Sequence, residues 1–146
     1  METTNSNELL GPDYSHQFDC ALRIGKMRKF WALLTHRQAK VLDFSENVTH
    51  MKSWSFQGQQ EVALNDIRGS ENRKNDFDDK FYPLTKQTRY RWQSIARAFE
   101  QGINLPPVEL IQVGNVYFVR DGHHRISVAR AFGWKTITAR VTGWNN

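Results

Sequence analysis

The residue types best able to do chemistry lie together in a five-residue run from Asp121 to Arg125, which reads DGHHR. A β-rich apolar run precedes it and an apolar helical pattern follows it, so the run is expected at the N-terminus of a helix. Free N–H groups and the positive end of the helix dipole favour an anion there. The pattern therefore predicts an anion site, although a simple helix cap formed by Asp121 would also explain it.

The last four residues of this run, Gly122 to Arg125, each suit a phosphate ligand in their own way. Gly122 permits a sharp turn and a close approach of the anion. Arg125 offers a bidentate fork that matches phosphate. His123 and His124 can donate hydrogen bonds to phosphate oxygens or transfer a proton near neutral pH. The alternative is that both histidines lie on a solvated first turn of the helix.

A second group of such side chains lies in the loop over residues 69–79. Ser70 and Arg73 can clamp a phosphate. Glu71, or one of the aspartates at positions 76, 78 and 79, can serve as a general base or metal ligand. The alternative is an acidic surface loop anchored by Phe77.

Metal binding by protein side chains alone is not expected. Adjacent histidines on a helix point about 100° apart, so His123 and His124 are poorly placed to share an ion. A Mg²⁺ ion carried with a phosphate needs few protein ligands and remains compatible. Cys20 is the single cysteine and offers no metal spacing. Arg89 and Arg91, in a helical run, can contact nucleic-acid phosphates or lie on a solvated helix face.

The chain of 146 residues carries a formal net charge of +5. Residues 1–85 hold 11 basic and 12 acidic side chains and residues 86–146 hold 9 and 3, so the positive charge lies with the DGHHR run. This field attracts nucleotides or nucleic acid, or is simply a solvated surface. No apolar run approaches the roughly 20 residues that span a bilayer, and the N-terminus lacks a signal-peptide pattern. We therefore expect a cytoplasmic protein without a membrane partner.

The elements that position these residues fall into two stretches. Residues 1–60 are expected to form a helical extension, and residues 61–146 a small α+β domain with a mixed sheet and flanking helices. In the extension the pattern predicts a helix over 14–36 with a break near Gly25, a second short helix over 37–47, and a connection over 51–60.

The second stretch alternates between strand and helix patterns. A short strand over 61–64 leads into a polar loop over 65–79. The pattern then predicts, in order, a helix over 89–101, strands over 108–113 and 115–119, a helix over 125–132, and a strand over 135–141.

With these motifs in place, residues 61–142 resemble the ParB/sulfiredoxin-like domain superfamily. Four segments carry the resemblance: a strand and arginine-containing loop (VALNDIRGSENR), a helix ending in glycine (IARAFEQG), a proline-led strand (LPPVELIQV), and the strand and turn YFVRDGHHRISVARAFG. The DGHHR turn looks most like the Asp-Gly-His-x-Arg turn of the superfamily's free serine kinases. It differs from the Gly-Glu-Arg-Arg type of ParB and the Gly-Cys-His-Arg type of sulfiredoxins.

The resemblance implies the superfamily's fold and nucleotide phosphate binding by Gly122, His123, His124 and Arg125, with Arg73 as a second contact. The implied ligand is a nucleotide, ATP, ADP or CTP, with Mg²⁺. Because His123 stands where sulfiredoxins have their catalytic cysteine, the sulfiredoxin reaction is excluded. A complete ParB partition clamp is not expected either, since no helix-turn-helix follows.

Two functions of different classes remain as expectations. One is phosphoryl transfer by a phosphotransferase or nuclease, in which Arg73 neutralises charge and Glu71, Asp121 or His124 acts as base or metal ligand. The other is a non-catalytic DNA-binding, partition or regulatory module that uses the same basic turn, with the N-terminal helices as a homodimer or DNA surface. An affinity that falls steeply as the salt concentration rises indicates DNA binding, whereas nucleotide turnover that depends on a divalent metal indicates an enzyme.

Overall fold

The computed structural model describes residues 13–37, 42–44, 53–73 and 75–145. The helices in these parts are α1 (Ser15–Leu34), α2 (Arg89–Glu100) and α3 (His123–Ala131). The strands there are β1 (Leu42–Asp43), β2 (Ser53–Ala63), β3 (Ile67–Ser70), β4 (Val108–Val113), β5 (Val116–Asp121) and β6 (Thr136–Asn145).

The six strands form one mixed sheet in the order β1-β3-β5-β4-β6-β2. The pairs β1–β3, β3–β5 and β4–β6 are parallel. The pairs β4–β5 and β2–β6 are antiparallel. The α+β fold with a small mixed sheet and flanking helices, predicted from the sequence, is confirmed.

The main core lies between α3 and one face of the sheet. Ile126 and Ala129 of α3 share a buried cluster with Val119 of β5 and Val141 of β6. Alternate residues of β6 point to this core, as the period of two in a strand requires. The sheet thereby fixes where α3 begins, directly after β5.

A second cluster holds the three helices together. Phe18 of α1 meets the ring of Trp92 of α2 edge to face, with centroids 5.6 Å apart. Val128 of α3 belongs to the same cluster. The buried indole of Trp92 donates a hydrogen bond to Ser127 Oγ at 3.0 Å, so its polar atom is satisfied. α3 is therefore held from the sheet side and from the helix side.

The predicted helices at 89–101 and 125–132, the strand pair at 108–119 and the final strand are all present, with ends shifted by a few residues. The break predicted near Gly25 is wrong, because α1 is continuous. A Cβ at Gly25 would lie 2.5 Å from the carbonyl oxygen of Pro83, so glycine here allows a close approach rather than a bend. None of the helices in the described ranges is long and apolar enough to cross a membrane.

The prediction for the stretch before residue 61 is wrong in two places. Residues 42–43 form a strand beside β3, not part of a helix, and 53–60 belong to the longest strand rather than a connection. Residues 38–41 and 45–52 lie outside the described residues. The expected boundary at residue 61 falls inside β2, because ladder pairing with β6 overrides the weak local pattern of Ser, Gln and Gly.

Candidate anion-binding site

The turn between β5 and α3 depends on Gly122. Its φ of 101° and ψ of 20° lie in the left-handed region. A Cβ there would lie 2.6 Å from Val108 Cγ1 and 2.9 Å from Val108 Cβ. Glycine is therefore required both by conformation and by space.

The N-terminus of α3 has no side-chain cap. The first helical hydrogen bond runs from the Ile126 N–H to the Gly122 carbonyl at 3.0 Å. Within the described ranges the N–H groups of His123, His124 and Arg125 have no hydrogen-bond partner. The cap by Asp121 that offered an ordinary explanation of the motif is thus not made, and three donors remain for an anion.

A cleft of about 410 Å³ opens at this helix end. Its described lining comes from the turn, from the loop after β3 and from α2, and consists of Arg73, Arg91, Ile95, Asp121, Gly122, His123, His124 and Arg125. Three arginines and two histidines therefore line a space at the N-terminus of α3.

Ser70, at the end of β3, orients the ring of His123 through a hydrogen bond. The distance from His123 Nε2 to Ser70 Oγ is 2.7 Å. The same hydroxyl oxygen accepts the backbone N–H groups of Asn72, at 3.3 Å, and Arg73, at 2.9 Å. Because these two bonds occupy both lone pairs, the hydroxyl hydrogen is left to donate to Nε2. His123 is then the neutral tautomer with its proton on Nδ1, and that N–H has no partner in the described structure.

His124 is 7% exposed, and neither of its ring nitrogens has a hydrogen-bond partner among the described residues. Phe77 forms the floor beneath both imidazoles. Its ring is stacked on His123 with centroids 6.1 Å apart and meets His124 edge-on at 5.3 Å. The alternative of a solvated first turn is therefore wrong, since both histidines are buried.

Burial lowers the pKa of His123 and of His124 from 6.5 to about 4, and the positive charge of Arg73 adds to the effect. Both imidazoles are consequently neutral at pH 7, and each presents one N–H donor. A neutral imidazole can donate a hydrogen bond to an anion even though the ring carries no positive charge.

The sequence did not reveal the residues that hold Phe77 in place beneath the two histidines. Phe77 and Phe81 belong to a loop organised by the buried Asp78, whose Oδ1 accepts the N–H groups of Lys80 and Tyr82 at 2.9 and 2.8 Å. Arg28 of α1 donates to its Oδ2 at 2.7 Å. Two phenylalanines spaced four residues apart in a polar loop were the available signal. α1 thus holds the loop on which both histidines rest.

Two arginines reach the cleft from different elements. Arg73 lies in the loop after β3, and its Nη1 forms an ion pair with Asp76 Oδ2 at 3.4 Å. Arg91 on α2 is exposed and has no hydrogen bond or ion pair within the described ranges. Arg89, the other arginine of this helix considered from the sequence, pairs instead with Asp19 at 2.6 Å. Within the described lining, the guanidinium of Arg91 is therefore unpaired, and that of Arg73 is paired with Asp76 alone.

The guanidinium of Arg125 forms most of its hydrogen bonds within the protein. Its Nη1 donates to the carbonyl oxygens of Pro106 and of Pro107, the latter at 2.9 Å, and its Nη2 to Asp121 Oδ2 at 2.8 Å. These bonds tie the helix start to the residues that lead into β4. The predicted phosphate contact would need its remaining N–H groups and stays a prediction.

The predicted catalytic residues lie apart. Asp121 lines the cleft while bound to Arg125. Glu71 is not among the described lining residues and pairs with Arg120 at 3.1 Å. Ser70 reaches the cleft only through His123. Within the described ranges no three His, Cys, Asp or Glu side chains come together as metal ligands.

No protein-family model matches the chain, and no curated protein matches it. Solved structures that are similar in fold include a sulfiredoxin and a ParB-N domain. One is sulfiredoxin from Arabidopsis thaliana, with 21% identity and a TM-score of 0.42, over 57% of this chain and 82% of that one. The other is a Pnob8-like ParB-N domain, with 11% identity and a TM-score of 0.42, over 66% of this chain and 32% of that one. The likeness concerns the fold alone.

Proposed function

We propose that this chain binds the phosphate group of a nucleotide in the cleft at the N-terminus of α3. The observation that carries the proposal is the uncapped helix end, whose free N–H groups face the same space as two buried neutral histidines. Backbone N–H groups, imidazole N–H groups and the guanidinium groups of Arg73 and Arg91 together satisfy several oxygens of one anion.

A nucleotide is favoured over inorganic phosphate by the space beside the cleft. Arg125 also borders a second cavity of about 310 Å³, whose described lining includes Leu105, Pro106 and Trp134. This apolar and aromatic lining suits a planar base, while the phosphates lie at α3.

Binding is better supported than turnover. Phosphoryl transfer works by positioning and by neutralising charge, and it needs a group that orients the nucleophile or holds Mg²⁺. Asp121 is the carboxylate that lines the cleft, so it is the residue for that role. Glu71 is engaged by Arg120, and a pKa lowered to about 4 makes both His123 and His124 weak general bases. A Mg²⁺ ion would arrive with the nucleotide, because phosphate oxygens and water fill most of its coordination shell.

The experiment is a thermal-denaturation series with ATP, ADP, CTP and GTP, with and without Mg²⁺. A nucleotide at a hundredfold excess over its Kd stabilises the fold by about 2.7 kcal/mol. For a chain of this size that raises Tm by roughly 5–10 °C. We expect the double variant Arg73→Ala, Arg91→Ala to lose most of this rise. The matched control is Arg68→Ala, Arg97→Ala, which removes the same charge from exposed positions outside the cleft lining.

Equal responses in the two double variants would show that the cleft arginines are not the ligand contacts. No rise with any nucleotide, together with tight binding of duplex DNA that weakens steeply with salt, would favour the DNA-binding alternative.

A further inference from the structure

The second half of α1, residues 24–34, exposes an apolar surface that the fold does not use. Its large apolar side chains are between 37% and 70% exposed. They are Ile24, Met27, Phe30, Trp31, Leu33 and Leu34. Contiguous exposed apolar surface of this kind marks an interaction site more often than a solvated face.

The spacing of these residues is that of a helix-packing seam. Positions 24, 27, 31 and 34 are separated by three, four and three residues, which places them on one side of the helix. The side of α1 that packs into the protein is different and carries Phe18, Leu22 and Gly25. α1 is therefore apolar on two sides, and the outer side lacks a helix to pack against in the described structure.

A cavity lies beside the seam and makes this surface concave. It has a volume of about 350 Å³, and its described lining includes Met27, Trp31, Ala32 and Asp79. A flexible methionine and a large aromatic ring at the mouth of a cavity suit an inserted apolar side chain. A flat lipid surface has no side chain to insert there, whereas a partner helix does.

The charged side chains of residues 20–37, the part of the chain that carries the seam, are all basic. Between residues 20 and 37 the chain has Arg23, Lys26, Arg28, Lys29 and Arg37 and no acidic residue. Among these, Arg28 is neutralised within the protein by Asp78 and Asp79. A second copy of α1 would bring like charges together, which disfavours self-association. Carboxylates on a partner would instead pair with the remaining cations.

From this surface we infer that α1 residues 24–34 dock an acidic amphipathic helix of a partner protein, with an apolar side chain of that helix in the cavity beside Met27 and Trp31. When a helix docks in this way, the apolar stripe provides the affinity and the flanking charges select the partner. This docking is independent of the anion site proposed at α3.

The probe is a labelled synthetic amphipathic peptide about three heptads long, with Leu at the a and d positions and Glu at e and g. Its binding to the full chain is measured by fluorescence anisotropy, against the same peptide with Lys in place of Glu. We expect a Kd on the order of 10 µM for the Glu peptide and at least roughly tenfold weaker binding of the Lys peptide. Met27→Gln, Trp31→Gln should weaken the Glu peptide by a similar factor.

The matched control is Tyr90→Gln, Ile103→Gln, which removes two exposed apolar side chains outside the described lining of the α1 cavity and should bind like the parent. Circular dichroism checks that both variants fold. Equal affinity for the two peptides, or a double α1 variant that binds like the parent, overturns the inference. So does a dimer in sedimentation equilibrium that Trp31→Gln dissociates, which identifies a second copy as the occupant. Partition of the chain onto phosphatidylglycerol vesicles without peptide binding identifies a membrane instead.

Discussion

At the scale of single residues, the Ser70 hydroxyl decides which nitrogen of His123 carries the proton. Its oxygen is filled by two backbone N–H groups, so its hydrogen goes to Nε2 and the imidazole proton stays on Nδ1. No sequence pattern signals this arrangement, because Ser70 and His123 are 53 residues apart. The serine predicted as a direct phosphate ligand acts in the structure through the histidine.

Ser70→Ala should therefore change both the tautomer and the stability. Removing the hydroxyl leaves two backbone donors and one imidazole nitrogen without their partner, at a cost of about 1–3 kcal/mol in the free energy of unfolding. In ¹⁵N NMR spectra, Nε2 of His123 should appear unprotonated in the parent. In the variant, Nε2 should no longer be held in the unprotonated form. Ser94→Ala, at an exposed position of α2, is the control. A parent imidazole protonated on Nε2 would refute the assignment.

At the scale of elements, β5, the Gly122 turn and α3 were predictable, because a β-rich run, a glycine and a helical stripe follow one another in sequence. The strands β1 and β2 were not predictable. Their local sequences are short or polar, and only pairing with β3 and β6 makes them strands. The floor under the histidines was hidden for a similar reason, since Asp78 organises its loop through Arg28 of a distant helix.

The turn between β5 and α3 gives an element-scale prediction. Gly122→Ala combines a left-handed φ with overlap against Val108, so it should destabilise the fold by roughly 2–4 kcal/mol. Gly133→Ala also has a positive φ but meets nothing within 4 Å, so it should cost only about 1–2 kcal/mol. Urea denaturation of the two variants isolates the overlap. Equal losses would mean that the turn can move away from β4.

At the scale of the whole molecule, the two buried histidines should make stability depend on pH. In the folded chain their pKa is lowered to about 4, below the 6.5 of an unfolded chain, so the unfolded state takes up protons first as the pH falls. The free energy of unfolding should fall between about pH 6.5 and pH 4, by on the order of 2 kcal/mol for each histidine.

Urea denaturation across this pH range checks the dependence. His124→Gln should show a smaller loss than the parent, whereas His16→Gln, at an exposed position of α1, should follow the parent. An unchanged slope in His124→Gln would mean that His124 does not titrate as its burial requires. Asp78, whose pKa is raised by burial, is present in all three proteins and cancels in the comparison.

The central claim concerns one location, the N-terminus of α3, and an NMR titration observes it directly. ¹⁵N-labelled protein is titrated with ATP and Mg²⁺ while backbone amide signals are followed. The signals of His123, His124 and Arg125 should move furthest and saturate together, because these N–H groups have no other partner in the part of the chain that the structure describes. Saturable shifts elsewhere with these three amides unmoved would contradict the proposed site.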